Sequence, residues 1–324
     1  MSRRHVARRR AGAVLIALLA ATAVVSTATN STSAADRTAA ADDTGGSERA
    51  ATFVGSRGIT ELERSNPQLS RGQIQRLVAD PSTWVGREGR LYVREPMALA
   101  PRPNAVTDPV LTAPHPLADT FLLNSRPGSA HTIYLDFNGD NITSSFWTLY
   151  NAGMPVRAQA LDFDGVPGSF DDDERAFIQQ TWARVAEDFA TYDVNVTTQD
   201  PGTGAVTRTS AADPTYGMRV VIAPSNVVTE QCGCAGIAWL GTFNEPFGAD
   251  TPPALAFVYN DAGFDDPFDT ADIASHELGH TLGLSHDGTT GAGASEYYIG
   301  QGIWAPMMGF GRRPLTQWSK GSYA

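Results

Sequence analysis

The chain has 324 residues, of which 24 are Lys or Arg and 35 are Asp or Glu, so its formal net charge is −11. A strongly acidic protein lacks the basic face that nucleic acids require, which excludes a nucleic-acid partner. After residue 25 no stretch is long and apolar enough to cross a bilayer, so no stable membrane anchor is expected. The oligomeric state stays open.

Residues 1–35 have the order of a secretory signal peptide. A basic stretch from Arg3 to Arg10 precedes a short apolar core from Ala11 to Val25. Small residues follow, with a cleavage point near Ala34 or Ala35. The core is short for a bilayer span, so a permanent anchor is the lesser alternative. We therefore expect the mature protein to be secreted and extracellular.

Residues 36–125 are predicted to be a propeptide or an N-terminal accessory segment. Residues 36–50 are mostly Ala, Asp, Thr, Gly and Ser, which is typical of a disordered linker. Apolar residues recur with modest periodicity over 58–97, and the proline-rich stretch 96–116 indicates a boundary. The main domain is therefore assigned to residues 126–324.

This domain shows alternating strand patterns and one strong helix pattern before residue 260. The helix is predicted over 173–192, with four acids from Asp171 to Glu174 at its positive end. Strands are predicted over 131–138, 194–197, 218–222, 237–240 and 254–259.

An acidic loop precedes the predicted helix. It contains Asp162, Asp164 and the acids of 171–174, which are hard oxygen ligands suited to calcium. The spacing does not match the twelve-residue calcium-binding loop, so a solvated loop that caps the helix is the favoured interpretation and calcium the weaker one.

The two cysteines, Cys232 and Cys234, are separated by a single residue. A secreted chain can oxidise them, although so short a ring is strained. A local disulfide is favoured over free thiols or intermolecular pairing, and all three stay open.

Residues 276–287 read H-E-L-G-H-T-L-G-L-S-H-D. His276 and His280 are four residues apart, so one helical face presents both imidazoles to a single ion. Gly283 lets the helix end and the chain fold back, which brings His286 in as a third nitrogen ligand. Three histidines leave one position open for water, as in catalytic zinc sites, and Glu277 lies where it can reach that water.

The pattern around this motif predicts a helix that begins at Asp269. Asp269 is the expected N-cap, with Asp272 as the reciprocal acid of a capping box. One apolar stripe is expected to face the core: Ala271, Ala274, Leu278 and Leu282.

Residues 304–310, W-A-P-M-M-G-F, resemble the Met-turn that lies beneath the zinc in metzincins. With the histidine motif, they make the chain similar to metzincin zinc metallopeptidases. Asp287 after the third histidine most resembles the reprolysin-like (adamalysin-like) branch. The turn methionine is assigned to Met308, with Met307 as the fallback, and Phe310 cannot coordinate a metal. Asp287 either supports the site from a buried position or is an acid without a catalytic part.

The resemblance implies an α+β fold of the metzincin type. The expected catalytic domain is a mixed twisted sheet with a zinc-binding active-site helix and a small C-terminal subdomain that contains the Met-turn. Related domains usually finish with a further helix, and Leu315 to Tyr323 is predicted to be its beginning. The resemblance covers roughly residues 129–320.

The implied function is a secreted zinc-dependent endopeptidase acting on protein or peptide substrates, with Glu277 as general base. The alternative is a secreted zinc-containing binding or adhesion module without catalytic activity. The substrate is expected to pair with an edge strand, for which Gly236 to Phe243 is the candidate, although these residues also fit an ordinary buried strand. Latency is expected until export, and it cannot use a cysteine because none precedes Cys232. An Asp or a backbone group would have to serve.

Overall fold

The computed structural model describes residues 47–96, 111–143, 146–224, 226–246, 255–259, 266–289, 294–309 and 313–321. All of them belong to the compact unit Ala41–Ala324. The predicted signal peptide and Phe310 lie outside these residues. Across the described ranges, no helix has both the length and the apolar character that a membrane crossing needs.

A mixed sheet of eight strands, in the order β1-β2-β3-β9-β10-β8-β4-β7, forms the centre of the fold. Two further pairs, β5 with β6 and β11 with β12, lie outside it. The strands are β1 (Glu48–Arg49), β2 (Thr83–Val85), β3 (Leu91–Pro96), β4 (His131–Asp136), β5 (Asp140–Ile142), β6 (Val156–Ala158), β7 (Asn195–Thr197), β8 (Tyr216–Ala223), β9 (Cys234–Trp239), β10 (Leu255–Tyr259), β11 (Trp304–Pro306) and β12 (Leu315–Gln317).

The two halves of the large sheet differ in direction. From β10 through β8 and β4 to β7, neighbouring strands are parallel. From β1 to β10 every neighbouring pair is antiparallel. Strands β1 to β3 all come from residues 47–96, which we call the N-terminal segment. The sheet is therefore continuous between this segment and the main domain.

The described helices are α1 (Ala50–Arg57), α2 (Ile59–Ser65), α3 (Arg71–Ala79), α4 (Phe146–Tyr150), α5 (Asp172–Asp188), α6 (Thr203–Val206), α7 (Val227–Cys232) and α8 (Pro267–Thr281). Together with the sheet they give the α+β fold that the sequence predicts.

The sheet has an apolar core on each face because side chains alternate along a strand. In β8, Met218, Val220 and Ile222 pack with α5 and α8. Val221 and Ala223 point the other way and pack with α4 and α7.

A third apolar cluster belongs mainly to the N-terminal segment. Its buried members are Ala50, Phe53, Leu62, Leu69, Ile74, Leu77, Val85, Leu91 and Val93, joined by Leu240 just after β9. The modest periodicity noted over 58–97 thus corresponds to two short helices, α2 and α3, followed by β2 and β3, and α1 precedes them.

The strong helix is confirmed as α5. Asp171 caps it by accepting a hydrogen bond from Glu174 N at 2.9 Å, and Glu174 Oε2 accepts from Asp171 N at 2.8 Å. The helix ends at Asp188 rather than Tyr192, because Phe189 leaves helical geometry. All five predicted strands are confirmed as β4, β7, β8, β9 and β10 with shifted ends.

The predicted start of the histidine helix is wrong. Helix α8 begins at Pro267, which needs no N–H partner at that position. Asp266 is the cap and accepts from Phe268 N at 2.8 Å. Asp269 lies inside the helix and is buried, as is Asp272.

Two further expectations differ from the structure. Leu282 follows the end of α8 and is 45% exposed, so the buried stripe ends at Leu278. The predicted helix at 315–323 is wrong, because Leu315–Gln317 satisfies its backbone by pairing with β11 in parallel.

The local disulfide between Cys232 and Cys234 is present. Gly233 adopts a left-handed conformation with φ of 59°, which a residue without Cβ enters cheaply. The turn brings the two Cα atoms to 5.2 Å, within bonding range of a disulfide.

Candidate metal centre

Three buried imidazoles meet at the C-terminal end of α8. His276 and His280 lie one turn apart on the helix, with ring centroids 4.7 Å apart. Gly283, with φ of 86°, then turns the chain back. This turn places His286 with its ring 5.2 Å from His276 and 4.8 Å from His280. All three predicted ligands are therefore brought together.

Backbone carbonyls hold two of these rings in one tautomer. His276 Nδ1 donates to Met307 O at 2.7 Å, and His280 Nδ1 donates to Leu284 O at 2.8 Å. A carbonyl only accepts, so the proton of each neutral ring lies on Nδ1. The Nε2 lone pairs then face the centre, which is the form that binds a metal ion.

The third ring is supported by carboxylates instead. His286 Nδ1 lies 2.8 Å from Asp80 Oδ2 and 3.2 Å from Glu296 Oε1. Asp80 follows α3 in the N-terminal segment, whereas Glu296 lies in the main domain. Neither residue carries a motif signal, so sequence reasoning missed both.

A fourth donor, Glu95 of β3, completes the group. Its Oε1 lies 3.2 Å from His276 Nε2, 3.3 Å from His280 Nε2 and 2.6 Å from His286 Nε2. Its Oε2 accepts from Tyr297 Oη at 2.9 Å. One indirect clue lay in the missing early cysteine, from which an Asp or a backbone group was expected to provide latency; the residue found at this position is a glutamate.

The four donors fit a zinc ion. Ligands about 2.0–2.1 Å from one ion at tetrahedral angles lie about 3.3 Å from each other. The carboxylate oxygen meets that spacing for His276 and His280 and lies nearer to His286. His276 Nε2 also has no hydrogen-bond partner among the described residues, so its buried lone pair needs a ligand.

The ionisable groups at the centre change one another's pKa values. Burial opposes ionisation of Glu95, but the surrounding imidazoles of His286, His276 and His280 hold its pKa well below the usual range. Burial also opposes protonation of His286, yet Glu95, Asp80 and Glu296 raise its pKa well above normal. Burial lowers the pKa of His280 to about 4, which keeps it neutral as a ligand must be.

Glu277 lies beside this group but lacks the hydrogen bonds that hold Glu95. It is fully buried, and neither carboxylate oxygen has a hydrogen-bond partner in the described part of the chain. Burial, and then the charge of Glu95, raise its pKa well above the usual value. It reaches its position because Gly236 of β9 has no side chain: a Cβ there would lie 2.1 Å from Glu277 Oε1.

Met308 packs beneath α8. A Cβ on Gly279 would lie 2.3 Å from Met308 Sδ, so the sulfur lies directly against the helix backbone between the two helical histidines. This packing agrees with Met308 as the turn methionine, although the assignment of a Met-turn subdomain stays a prediction.

Asp287 links the third-histidine loop to Met308. Its N–H donates to Met308 O at 2.6 Å, and its own carbonyl accepts from Tyr298 N at 2.7 Å. The side chain is half-buried, and burial raises its pKa. These backbone contacts fix where His286 lies, and a role for the carboxylate itself stays a prediction.

The acidic loop brings Asp162, Asp164 and Glu174 close together. Glu174 uses its oxygens to accept from Phe163 N and Asp171 N, as a helix cap does. Asp162 Oδ1 accepts from Gly165 N at 2.7 Å. These contacts fit the interpretation as a capping loop, and calcium stays a prediction.

Residues 180–287, about one third of the chain, match the model of metallo-peptidase family M12B, reprolysin-like. The matched span runs from α5 to Asp287 and includes the three histidines and Glu277. No curated protein and no solved structure matches the chain. This family match and the histidine geometry make residues 180–287 similar to the reprolysin-like metallopeptidases.

Proposed function

We propose that the chain is a secreted zinc-dependent endopeptidase in which His276, His280 and His286 hold the zinc and Glu277 is the general base. One observation carries this proposal: the fully buried carboxyl group of Glu277, which has no hydrogen-bond partner among the described residues, lies beside three converging imidazoles. A buried unpaired carboxylate is costly unless a function requires it. A metal site built only for structure would have no use for this residue.

The reaction is hydrolysis of a peptide bond within a chain. Zinc, when bound, supplies a Lewis acid that polarises the attacking water and the scissile carbonyl. Glu277 takes one proton from the water as the water oxygen bonds to the carbonyl carbon. Glu277 then delivers that proton to the amine as the C–N bond breaks. The water is thereby divided between the new carboxyl and amino ends.

Strand β9 is suited to hold the substrate. It pairs with β10 on one side, and Gly236 brings its backbone against Glu277. A peptide that paired with the other side of β9 would lie extended beside the general base, and its main chain would supply affinity independent of sequence. The proposed substrates are therefore proteins or peptides in extended conformation.

The test is hydrolysis of unfolded casein with zinc measured in each sample. A site for a specific protease is inserted between Pro103 and Asn104, and the folded chain is assayed before and after cutting; the cut product is called the cut form. We expect the cut form to be active and the same form of Glu277→Ala to lose about a hundred- to ten-thousand-fold in rate. Glu187→Ala, an exposed acid on α5, is the matched control.

Both proteins should carry one equivalent of zinc. Full activity in Glu277→Ala would contradict the assigned base. A zinc-loaded cut form without activity would favour the alternative, a binding or adhesion module. Export is tested separately: the protein collected outside the producing cells should begin near residue 35 or 36.

A further inference from the structure

We propose that the N-terminal segment is an inhibitory prosegment that closes the site with a glutamate: β3 takes the place of the substrate on β9, and Glu95 is the fourth zinc ligand. This inference rests on the proposed function, because closure has a purpose only if the open site is catalytic. Four observations lead to it.

The first is the position of β3. It pairs antiparallel with β9, on the side opposite to β10, with Tyr92 opposite Trp239 and Glu95 opposite Gly236. Without β3, strand β9 would be an edge strand with unpaired N–H and C=O groups. The prediction of an edge strand is therefore wrong for the chain in this state, because β3 pairs with the edge of β9 that a substrate would use.

The second is the register of that pairing. In β3, Glu95 lies opposite Gly236, the residue of β9 that lies against Glu277. Its carboxylate reaches all three histidines. A substrate bound in the same register would place its scissile bond there.

The third is the completeness of the donor set. Three imidazole nitrogens and one carboxylate oxygen are four ligands, as in closed structural zinc sites, whereas a catalytic site keeps one position for water. Tyr297 Oη donates a hydrogen bond to the other carboxylate oxygen of Glu95 at 2.9 Å, so both oxygens have partners. A site closed in this way cannot activate water.

The fourth is the anchoring of the segment outside the metal group. Arg90 Nη1 donates to Glu245 Oε2 at 2.6 Å, and its other terminal nitrogen pairs with Oε1. Gln68 Nε2 donates to Leu240 O at 3.1 Å. Asp80 meets His286 from the side away from Glu95. The segment is thus a folded body docked on the site.

Closure by Glu95 would keep the peptidase inactive without a cysteine in the N-terminal segment. Cleavage between the end of β3 and residue 111 would break the covalent link between the N-terminal segment and the main domain. That link keeps Glu95 at high local concentration over the metal. Departure of the segment would free the edge of β9 and one zinc position together. Activation then needs no chemical change at the zinc ligands of the main domain.

The first experiment measures how well acetohydroxamate, a small zinc-chelating probe, binds the zinc-loaded full chain. Wild type is compared with Glu95→Ala and Glu95→Gln. The matched control is Glu63→Ala, which removes an acid of the same segment paired with Arg71 at the surface. If the closed state holds at least nine molecules in ten, Glu95→Ala should bind the probe about tenfold more tightly or better, with unchanged zinc content. Glu63→Ala should match wild type.

Casein hydrolysis by the same proteins separates the two proposals. We expect Glu95→Ala to be more active than wild type before cutting and both to reach a similar rate after cutting. Tighter probe binding with no hydrolysis in any form, cut or uncut, would support closure by Glu95 and contradict the peptidase function. Equal probe binding in wild type and Glu95→Ala would overturn the closure.

Loss of zinc from both Glu95 variants would also overturn it, because Glu95 would then be a permanent structural ligand. The cut wild-type protein gives an independent measurement in case the variants fail to fold. Its probe affinity should rise to that of Glu95→Ala, and no rise after removal of the segment by size exclusion would contradict the prosegment assignment.

Discussion

Helix α8 and the N-terminal segment both supply side chains to the candidate metal centre, but they differ in how the sequence encodes them. The helix places its ligands by local spacing, with His276 and His280 one turn apart and a glycine turn before His286. The segment places Glu95 there only through the pairing of β3 with β9. Local geometry can be predicted from a motif, whereas a contact across 181 residues of chain between Glu95 and His276 depends on the whole sheet.

The two buried acids at the centre show the same contrast. Glu95 contacts three histidines and a tyrosine, and its charge is stabilised. Glu277, equally enclosed, has no hydrogen-bond partner in the described residues. We infer that partners distinguish the two roles: a ligand or inhibitor is held from every side, and a base is left open to the reacting water. Burial alone does not separate them.

The largest effect on the rate of casein hydrolysis is expected from a substitution at the contact between Gly236 and Glu277. In Gly236→Ala, the new Cβ would lie 2.1 Å from Glu277 Oε1 and 2.7 Å from its Cδ, so the carboxylate must move. A misplacement of about 1 Å can cost about a hundredfold in rate. We expect the casein rate of the cut form to fall by about that factor or more, with zinc content unchanged.

Gly204→Ala is the control for this substitution, because a Cβ at Gly204 meets no atom within 4 Å. It should retain the wild-type rate. If Gly236→Ala did so as well, the position of Glu277 against β9 would not be the one used in catalysis. The proposal that β9 holds the substrate would then lose its link to the base.

The sequence was sufficient to predict the helices and strands that nearby residues determine. The alternation of Met218 to Ile222 and the acids before α5 were enough to predict a strand and a helix. It failed where the reason lies in a distant partner. Residues 315–317 form a strand because β11 offers its backbone. The cap of α8 was a local error, since Pro267 starts the helix directly after Asp266. At the site, the histidines and Glu277 were predicted, whereas Glu95 and Asp80 were not, since a single acid in a polar segment has no pattern.

A second test measures how much support His286 takes from each region. Its Nδ1 has Asp80 at 2.8 Å in the N-terminal segment and Glu296 at 3.2 Å in the main domain. After cutting and removal of the segment, Glu296 alone would remain. Loss of such a partner typically costs about 10- to 100-fold in metal affinity. We expect Glu296→Gln to lower zinc affinity by that factor in the cut form and by clearly less in the full chain.

Competition with a chelating dye would measure these affinities, with Glu63→Gln as a control in the full chain. An equal loss in both forms would mean that Asp80 does not support His286. The N-terminal segment would then act on the metal centre through Glu95 alone.

The smallest expected effect concerns the face of α8 that points away from the N-terminal segment. Ser275, next to His276, donates to Asp188 Oδ2 at 2.7 Å. Burial raises the pKa of Asp188 to about 7, from 3.8 in the unfolded chain. The folded state therefore binds the extra proton between these values, and stability from this group is full below about pH 4 and lost as pH rises through about 7. Asp188→Asn should remove this loss.

Urea unfolding from pH 5 to pH 8 measures that effect. We expect Asp188→Asn to unfold with a free energy about 1–3 kcal/mol above wild type at pH 8, and the gap to close towards pH 5. Asp193→Asn, at a side chain 74% exposed, should show no such gap. The contacts of Asp188 with Ser275 and Thr316 lie outside the N-terminal segment, so the gap should be the same in the full chain and the cut form. A gap that changed on cutting would show that the segment is coupled through α8 to its far face, and removal of Glu95 would then reorganise the helix as well as open the metal.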